Sequence, residues 1–520
     1  MRQWMVAAKK ADFYAIAEKF HVDPVVARII RNREVIGEKN IRIYLGGNLS
    51  DLSDPHQMKD MDRLVEILAQ KIRKQVHIRI IGDYDVDGVT SSHLFLTALR
   101  RVGAKVDVVI PHRIQDGYGL SLHLLQQAKE DGVDTILTCD NGIAAIDEIA
   151  WAKAQKMTVL VTDHHAVPFE EHEGRRTEKK SLADAVVNPH QQDCGYPYKE
   201  LCGAGVAWNV IRVLYENYDM DKREAEDLLD FVAMATVCDV MSLTGENRIL
   251  VKEGLKRIRH TKNIGLQALM QACNVQPENI SAYHFGYVLG PCVNATGRLD
   301  TARHALRLFE TGQETEAEEI ARDLVDLNQE RKELTLQGVE MAKKLCEEGG
   351  YEKDPILVLF LPDVHESIAG LIAGRIREMY NRPVFVLTRG EEGVKGSGRS
   401  TENYSMYENM CGCAELFTKF GGHPMAAGLS LPEENVEKFR RKINENCPLT
   451  VEEVCPDIHI DMAMPVGYAS TELVHQFALL EPFGKDNPSP LFADRNLSIS
   501  RMWLIGKNRN VLRMLSLIHI

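Results

Sequence analysis

Between residues 76 and about 165, short apolar runs alternate with stretches of helical periodicity. The runs are His77 to Gly82, Lys105 to Pro111, Thr135 to Asp140 and Thr158 to Asp163, and each ends in a polar cluster. Strands alternating with helices predict a parallel sheet with crossover helices. Ahead of it, Phe13, Ile16, Ala17 and Phe20, then Val25, Val26, Ile29 and Ile30, fall on apolar stripes of short amphipathic helices. These helices are expected to cover one edge or face of the sheet. Residues 168 to 183, dense in charge, read as a solvated loop.

Further along, Ile320, Leu324, Leu327, Leu334 and Leu345 recur among charges at helical spacing. They predict one helix from Ala317 to Cys346, roughly 45 Å long at ~1.5 Å per residue, which would separate two halves of the molecule and leave a groove between them. A second alternation follows: strand Pro355 to Phe360, helix Ser367 to Tyr380, strand Pro383 to Leu387. From about 455 the pattern becomes short and β-like, with alternation over Leu497 to Leu504. The expected division is a helical cover (1–75), an α/β domain on a parallel sheet (76–290), a connecting helical region (291–348), a smaller α/β domain (349–450) and a β domain (451–520).

The length of 520 residues leaves room for about three or four domains of roughly 150 residues. Apolar content of 44% and charged content of 26% are those of a globular chain with ample core. A net charge of -13 argues against adhesion of the whole surface to nucleic acid or anionic membrane, but leaves room for a local basic cleft. Eleven cysteines occur without a C-x-x-C pair, so neither a zinc site nor a disulfide framework is indicated. Apolar stretches of membrane-spanning or signal length are missing, and a monomer in a reducing cytoplasm is expected.

The chemistry centres on Asp83-Tyr84-Asp85-Val86-Asp87-Gly88, where a strand turns into a helix. Ligand sites of open α/β sheets lie at such strand ends. Alone, three alternate carboxylates could be an acidic loop with an Asx turn. The third strand, however, ends in Asp140-Asn141-Gly142 and the fourth in Asp163-His164-His165. Loops along one sheet edge would bring these acids and imidazoles together, and so many like charges repel unless cations sit among them. Oxygen-rich ligands with imidazole suit Mn²⁺ or Mg²⁺. A shared aspartate could bridge two such ions, the arrangement that activates water in phosphoester hydrolysis. Asp239 ends an otherwise apolar run, as a cap or as a further ligand. Leu201 to Ala207 is a glycine turn opening a helix, fit either for a phosphate or for close packing.

In that order, the DYDVDG, DNG and DHH motifs with Asp239 resemble the signature motifs of the DHH phosphoesterase superfamily. Pro111-His112-Arg113 with Gly117-Tyr118-Gly119, and Leu201 to Ala207, narrow the resemblance to the RecJ family of single-strand-specific 5′→3′ exonucleases. The resemblance implies metal ligands at Asp83, Asp85, Asp87, Asp140, His164 and Asp239. It implies catalytic roles for His165 at the scissile phosphate and Asp163 behind a histidine. Where many superfamily members have a histidine two residues before Asp83, this chain has Ile81.

The same resemblance extends to the nucleic-acid contacts. Gly290 to Leu299 is similar to a family motif carrying Asn294 and Arg298, with Cys292 where a basic residue often stands. Gly396 to Ser400 and Gly421 to Gly428, each readable as a tight turn, together resemble the DHH-associated domain. There Ser397 and Arg399, with Arg113, would close over a 5′-phosphate, while Gly422 and His423 approach the strand and Tyr118 stacks on a base. Residues 455 onward resemble the start of an OB-type domain; the expectation is that it stops short at Leu515 to Ile520, with unnatural last residues and an unpaired sheet edge.

The implied activity is two-metal hydrolysis of single-stranded DNA to 5′-mononucleotides in recombination and repair. A helicase and a single-strand-binding protein would be partners, and no membrane is involved. Two other readings stay in view: a DHH phosphodiesterase on short oligoribonucleotides or cyclic dinucleotides, and a non-catalytic nucleic-acid-binding scaffold.

Overall fold

The computed structural model describes residues 4–112, 116, 119–172, 175–299, 301–351, 354–390, 393–449, 458–506 and 509–517. The chain divides into two compact units. One comprises Val6–Gly297, Thr301–Leu324 and His459–Ile520; the other comprises Met1–Met5, Arg298–Asp300 and Val325–Ile458.

The first unit holds a 5-stranded sheet of β1 (His77–Ile81), β2 (Lys105–Val109), β3 (Thr135–Cys139), β4 (Thr158–Thr162) and β5 (Ala185–Val187), in the order β2-β1-β3-β4-β5. Every pairing is parallel. Ile78, Ile80, Ile81, Ile136, Leu137, Val159, Leu160 and Val161 are fully buried, the continuous apolar run that helices on both faces require. Arg79 is the exception, and its guanidinium is spent on Asp107 at 3.0 and 2.6 Å and on Asp131 at 2.8 Å. In register, Ile81 lies opposite Val109 and Thr138, and Thr162 opposite Cys139 and Val187, so the strands finish level along one edge.

Two expectations are corrected here. The helices Phe13–Phe20 and Pro24–Asn32 do not cover the sheet: their apolar stripes pack with Met464, Leu473 and Leu480. The helix Met61–Arg73 does lie against β5 and the helix Gly203–Asn217. Part of the expected loop at 168–183 is an antiparallel hairpin pairing Phe169–His172 with Arg175–Glu178. Phe169, Glu170 and Glu171 are all exposed, so no buried face imprinted an alternation on the sequence.

The second unit carries a 5-stranded sheet of β6 (Leu357–Phe360), β7 (Val384–Gly390), β8 (Gly393–Arg399), β9 (Lys419–Gly422) and β10 (Ala426–Leu431), in the order β9-β10-β8-β7-β6. Only the β6–β7 pair is parallel. The helix Ala369–Tyr380 packs on it through Ala369, Ile372, Ala373 and Ile376. The expected long helix is one element, Glu314–Glu348, of 35 residues and about 52 Å. Its residues up to Leu324 belong to the first unit and the rest to the second. Ser498–Ile505 and Val511–Leu517 pair as an antiparallel hairpin.

Candidate active site

The level strand ends of the first sheet gather the acids. Asp83 and Asp85 follow β1, and Asp87 lies in the first turn of the helix Val86–Arg101, which Asp85 caps by accepting from Gly88 N at 3.0 Å. Asp140 follows β3; Asp163, His164 and His165 follow β4. Asp239 arrives from elsewhere, at the C-terminal end of the helix Leu229–Cys238, where Val240 turns the chain at φ 55°. Asp239 is the C-cap residue, its N–H donating to Ala235 O at 2.9 Å, but a carboxylate is disfavoured at a helix C-terminus, so the cap position does not account for the acid.

Three groups of side chains converge: Asp140 with His164 and His165; Asp87 with His164 and Asp239; and Asp83 with Asp85 and Asp140. Within each group the ligand-capable atoms lie within 4.8 Å of one another. His164 Nε2 is the meeting point, at 3.1 Å from Asp140 Oδ1 and 3.7 Å from both Asp87 Oδ2 and Asp239 Oδ2.

Local backbone needs explain the flanking residues. Asp140 adopts φ 61° and Gly142 φ 108°, making a tight turn that Asn141 staples by donating to Ile81 O at 3.1 Å and Cys139 O at 2.9 Å. A side chain on Gly142 would also meet Thr138 Oγ1 at 2.6 Å. The glycine turn at 201–207 resolves as close packing. A Cβ on Gly203 would sit 2.6 Å from that of Asp140, and the N–H groups of Gly203 and Ala204 donate to Asp87 at 2.6 and 2.7 Å. The helix N-terminus is thus occupied by a carboxylate of the chain rather than open to a phosphate. Asp163 holds the histidine loop: it accepts from Ile143 N at 2.8 Å, His164 N at 2.7 Å and His165 Nδ1 at 2.8 Å.

Electrostatics test whether a cation fits. Burial, then the neighbouring Asp85, raises Asp83 well above the carboxylate range. Burial and the charges of Asp87 and Asp85 do the same to Asp140 and Asp239. Burial lowers His164, leaving a neutral imidazole. His165 also feels burial, but the hydrogen bond and charge of Asp163 outweigh it and hold it up to about 9. Buried Asp83 Oδ1 and His164 Nε2 make no hydrogen bond. Crowded carboxylates that cannot all be charged, an orphaned oxygen and an orphaned imidazole nitrogen are what a hard divalent cation would satisfy. The residues fit Mn²⁺ or Mg²⁺.

In the second unit a smaller polar group forms. Arg399 Nη1 lies 3.3 Å from Ser397 Oγ, and a Cβ on Gly370, in the first turn of the helix Ala369–Tyr380, would meet both side chains at 2.8 Å. Arg298 Nη1 donates to Ser367 O at 2.7 Å, just before that helix. Gly422 pairs with Ala427, and Gly398 pairs with the same residue, so the hairpin turn bearing exposed His423 lies beside β8. Hydroxyl, guanidinium groups and a helix N-terminus suit a phosphate.

Asn294 belongs to the first unit, where its side-chain oxygen accepts from Val86 N at 3.1 Å and so braces the acidic loop. Cys292 is buried. Arg113 and Tyr118 lie outside the described residues. Asn188 was missed as a contributor: fully buried after β5, it donates to His165 O at 2.9 Å. Recognising Ala185–Val187 as a strand would have pointed to it, by the same strand-end rule.

Among the described residues, no helix is long and apolar enough to cross a membrane. Residues 77–236 match the DHH family N-terminal domain, 353–447 the DHHA1 domain and 460–516 the RecJ OB domain. The chain is 33% identical over 504 residues to the single-stranded-DNA-specific exonuclease RecJ of Bacillus subtilis, covering 96% of this chain and 62% of that protein. It is 34% identical over 512 residues to the protein of that name from Haemophilus influenzae, covering 95% and 86%. The crystal structure of RecJ in complex with Mn²⁺ from Thermus thermophilus superposes with a TM-score of 0.82 at 27% identity, over 99% of this chain and 74% of that one. A manganese-bound exonuclease RecJ gives 0.65 at 31% identity, over 76% and 96%. The chain therefore belongs to the RecJ family of single-stranded-DNA-specific exonucleases.

Proposed function

We propose that this chain hydrolyses single-stranded DNA from the 5′ end, releasing 5′-mononucleotides, with two Mn²⁺ or Mg²⁺ ions held by Asp83, Asp85, Asp87, Asp140, His164 and Asp239. The observation that carries the reading is the convergence of these six side chains around His164 Nε2, Asp140 and Asp83 in one unit. When bound, such ions supply activation of water and stabilisation of the leaving oxygen. Asp163 fixes the tautomer and aim of His165. Protonated at neutral pH and partly exposed, His165 stabilises charge developing on the scissile phosphate.

Polarity comes from the second unit. Ser397, Arg399 and Arg298, gathered at the N-terminus of the helix Ala369–Tyr380, bind the terminal 5′-phosphate; of the first unit's residues, Arg113 serves as a phosphate contact and Tyr118 as a base-stacking ring. Asn294 braces the acidic loop, and Gly422 and His423 meet the strand at the hairpin turn. The setting we infer is DNA recombination and repair in the cytoplasm, behind a helicase and with a single-strand-binding protein.

The test is degradation of end-labelled single-stranded DNA with Mn²⁺, comparing 5′-labelled, 3′-labelled and duplex substrates. Early mononucleotide release from the 5′ label with duplex spared is expected. Turnover of dinucleotides alone would overturn the reading in favour of a small-substrate phosphodiesterase, and binding without turnover in favour of a scaffold.

A further inference from the structure

A cavity of about 650 Å³ opens beside Asp239, and every residue lining it belongs to the first unit. Val237, Cys238, Val240 and Met241, the residues flanking Asp239 in the chain, form one wall, and the Asp239 side chain keeps 27% of its surface exposed. The cavity thus adjoins the acidic cluster. A second wall is aromatic. Tyr283 and Tyr287 straddle the start of the π-helical turn Phe285–Leu289 and stack, with ring centroids 5.1 Å apart at 24°. They remain 62% and 71% exposed, which leaves room for a further ring against them. Val240 adds an exposed apolar side chain on a left-handed backbone, φ 55°, a conformation that strains a β-branched residue. Strain of this kind and π-helical turns both gather at functional sites.

Two cations complete the lining. Arg259 and Lys485 are both exposed, and among the described residues neither forms an ion pair. Lys485 is close enough for its charge to act on Asp239. Glu481 is the acid among the lining residues, and it faces the charge of buried Arg248.

Exposed stacked rings, unpaired cations and a place next to the acidic cluster suit a single nucleic-acid strand, whose bases need a π-face and whose phosphates need positive charge. We propose that the strand following the scissile bond lies in this cavity, with a base against Tyr283 or Tyr287 and its phosphates toward Arg259 and Lys485. The volume falls within the roughly 300–1,000 Å³ of ligand sites, enough for a nucleotide. With the 5′-phosphate gripped by residues of the second unit, a cavity built wholly in the first is left for the nucleotides that follow. Stacking on a tyrosine accepts any base, so this hold on the uncut strand brings no sequence preference. The assignment rests on the reading of the chain as a single-strand exonuclease and adds to it the residues that hold the strand still to be cut.

The test is fluorescence anisotropy of the full chain in EDTA at low salt, with 3′-labelled, 5′-phosphorylated oligothymidylate and with an abasic strand of equal length. Wild type is expected to prefer the strand that carries bases. Tyr283→Ala/Tyr287→Ala should narrow that preference by about tenfold, the worth of one stacked base, and Tyr283→Phe/Tyr287→Phe should keep it. Arg259→Ala should instead weaken both strands alike and lower the slope of log affinity against log salt by about one. All three side chains are exposed, so the variants should melt with wild type. A base preference left intact by Tyr283→Ala/Tyr287→Ala would overturn the proposal and make the aromatic wall a surface for a protein instead; a salt slope untouched by Arg259→Ala would overturn the phosphate contact. Because the titration is metal-free, absence of hydrolysis with Mn²⁺ alongside a tyrosine-dependent base preference would fail the functional reading and leave the strand in this cavity.

Discussion

Asp140 stands at φ 61°, a backbone that costs most L-residues about 1–2 kcal/mol and aspartate or asparagine less. Asp140→Asn therefore removes the charge and keeps the turn, whereas Asp140→Ala adds strain. Both should abolish hydrolysis. In EDTA the Asn variant should melt at or above the wild-type temperature, because it takes one carboxylate out of a crowd where burial and neighbours already disfavour charge. Scanning calorimetry with and without Mn²⁺ decides: a Mn²⁺-dependent rise in Tm that survives in Asp140→Asn would remove Asp140 from the ligand set. His93 makes a separate pH prediction. Burial, helped by Arg100, lowers it to about 3, while an unfolded imidazole titrates near 6.5. Between those values the unfolded chain takes up a proton that the folded chain refuses. Stability is thus held above about pH 6.5 and lost as pH falls, by up to about 1.4 kcal/mol per unit. His93→Phe keeps the packing on Phe231 and Phe309 without the titration. The unfolding free energy from urea titrations should fall between pH 7 and pH 5 by roughly 2 kcal/mol less in the variant; equal losses would assign the acid sensitivity elsewhere.

At the scale of elements, the start of the helix Gly203–Asn217 is fixed from two sides. Its first N–H groups hold Asp87, and the missing side chain at Gly203 makes room for Asp140. Gly203→Ala should therefore weaken Mn²⁺ by about tenfold or more, the worth of a displaced charged contact, although it touches no proposed ligand's chemistry. Gly205→Ala is the matched control: its added methyl finds only ordinary contact with Leu201 at 3.4 Å, and trading glycine for alanine within a helix gains about 0.5–1 kcal/mol. Mn²⁺ titrations of the two variants that coincide would show that the helix start does not set the site. These contacts also mark where the sequence is legible. Four strands, and the acids at the ends of three of them, stand out because buried parallel strands are written as apolar runs with polar stops. The partner of Asp87 does not, because it is a pair of backbone N–H groups more than a hundred positions away. Ala185–Val187 is too short for a period to register, so Asn188 behind His165 went unread. In the hairpin strand Phe169–His172 the described side chains Phe169, Glu170 and Glu171 are all exposed, so it left no alternation to read.

At the scale of the molecule, the N-terminal helices serve the C-terminal segment rather than the sheet. Arg33 Nη1 meets Asp461 Oδ1 at 2.7 Å, with side-chain exposures of 8% and 7%. Asp461 also accepts from Asn32 Nδ2 at 3.1 Å and Leu491 N at 3.0 Å. Arg248, buried, donates to Tyr44 O at 2.8 Å and to Leu480 O and Leu479 O at 2.9 and 2.8 Å. Contacts between residues some two to four hundred positions apart have no local signature, and an amphipathic stripe says only that a face is covered, not by what. Removing one member of a buried, hydrogen-bonded ion pair costs about 3–5 kcal/mol, since the other charge stays buried and unmatched. Asp461→Ala should accordingly loosen residues 459–492 together with Phe13–Asn32, read as faster amide exchange in both. Strands β1, β3 and β4, whose core shares none of these side chains, should keep their protection, and Mn²⁺ should still raise the melting temperature. Loss of protection throughout the sheet would mean instead that the N-terminal helices and the catalytic core unfold as one cooperative unit, and that the C-terminal segment stabilises the metal site from a distance.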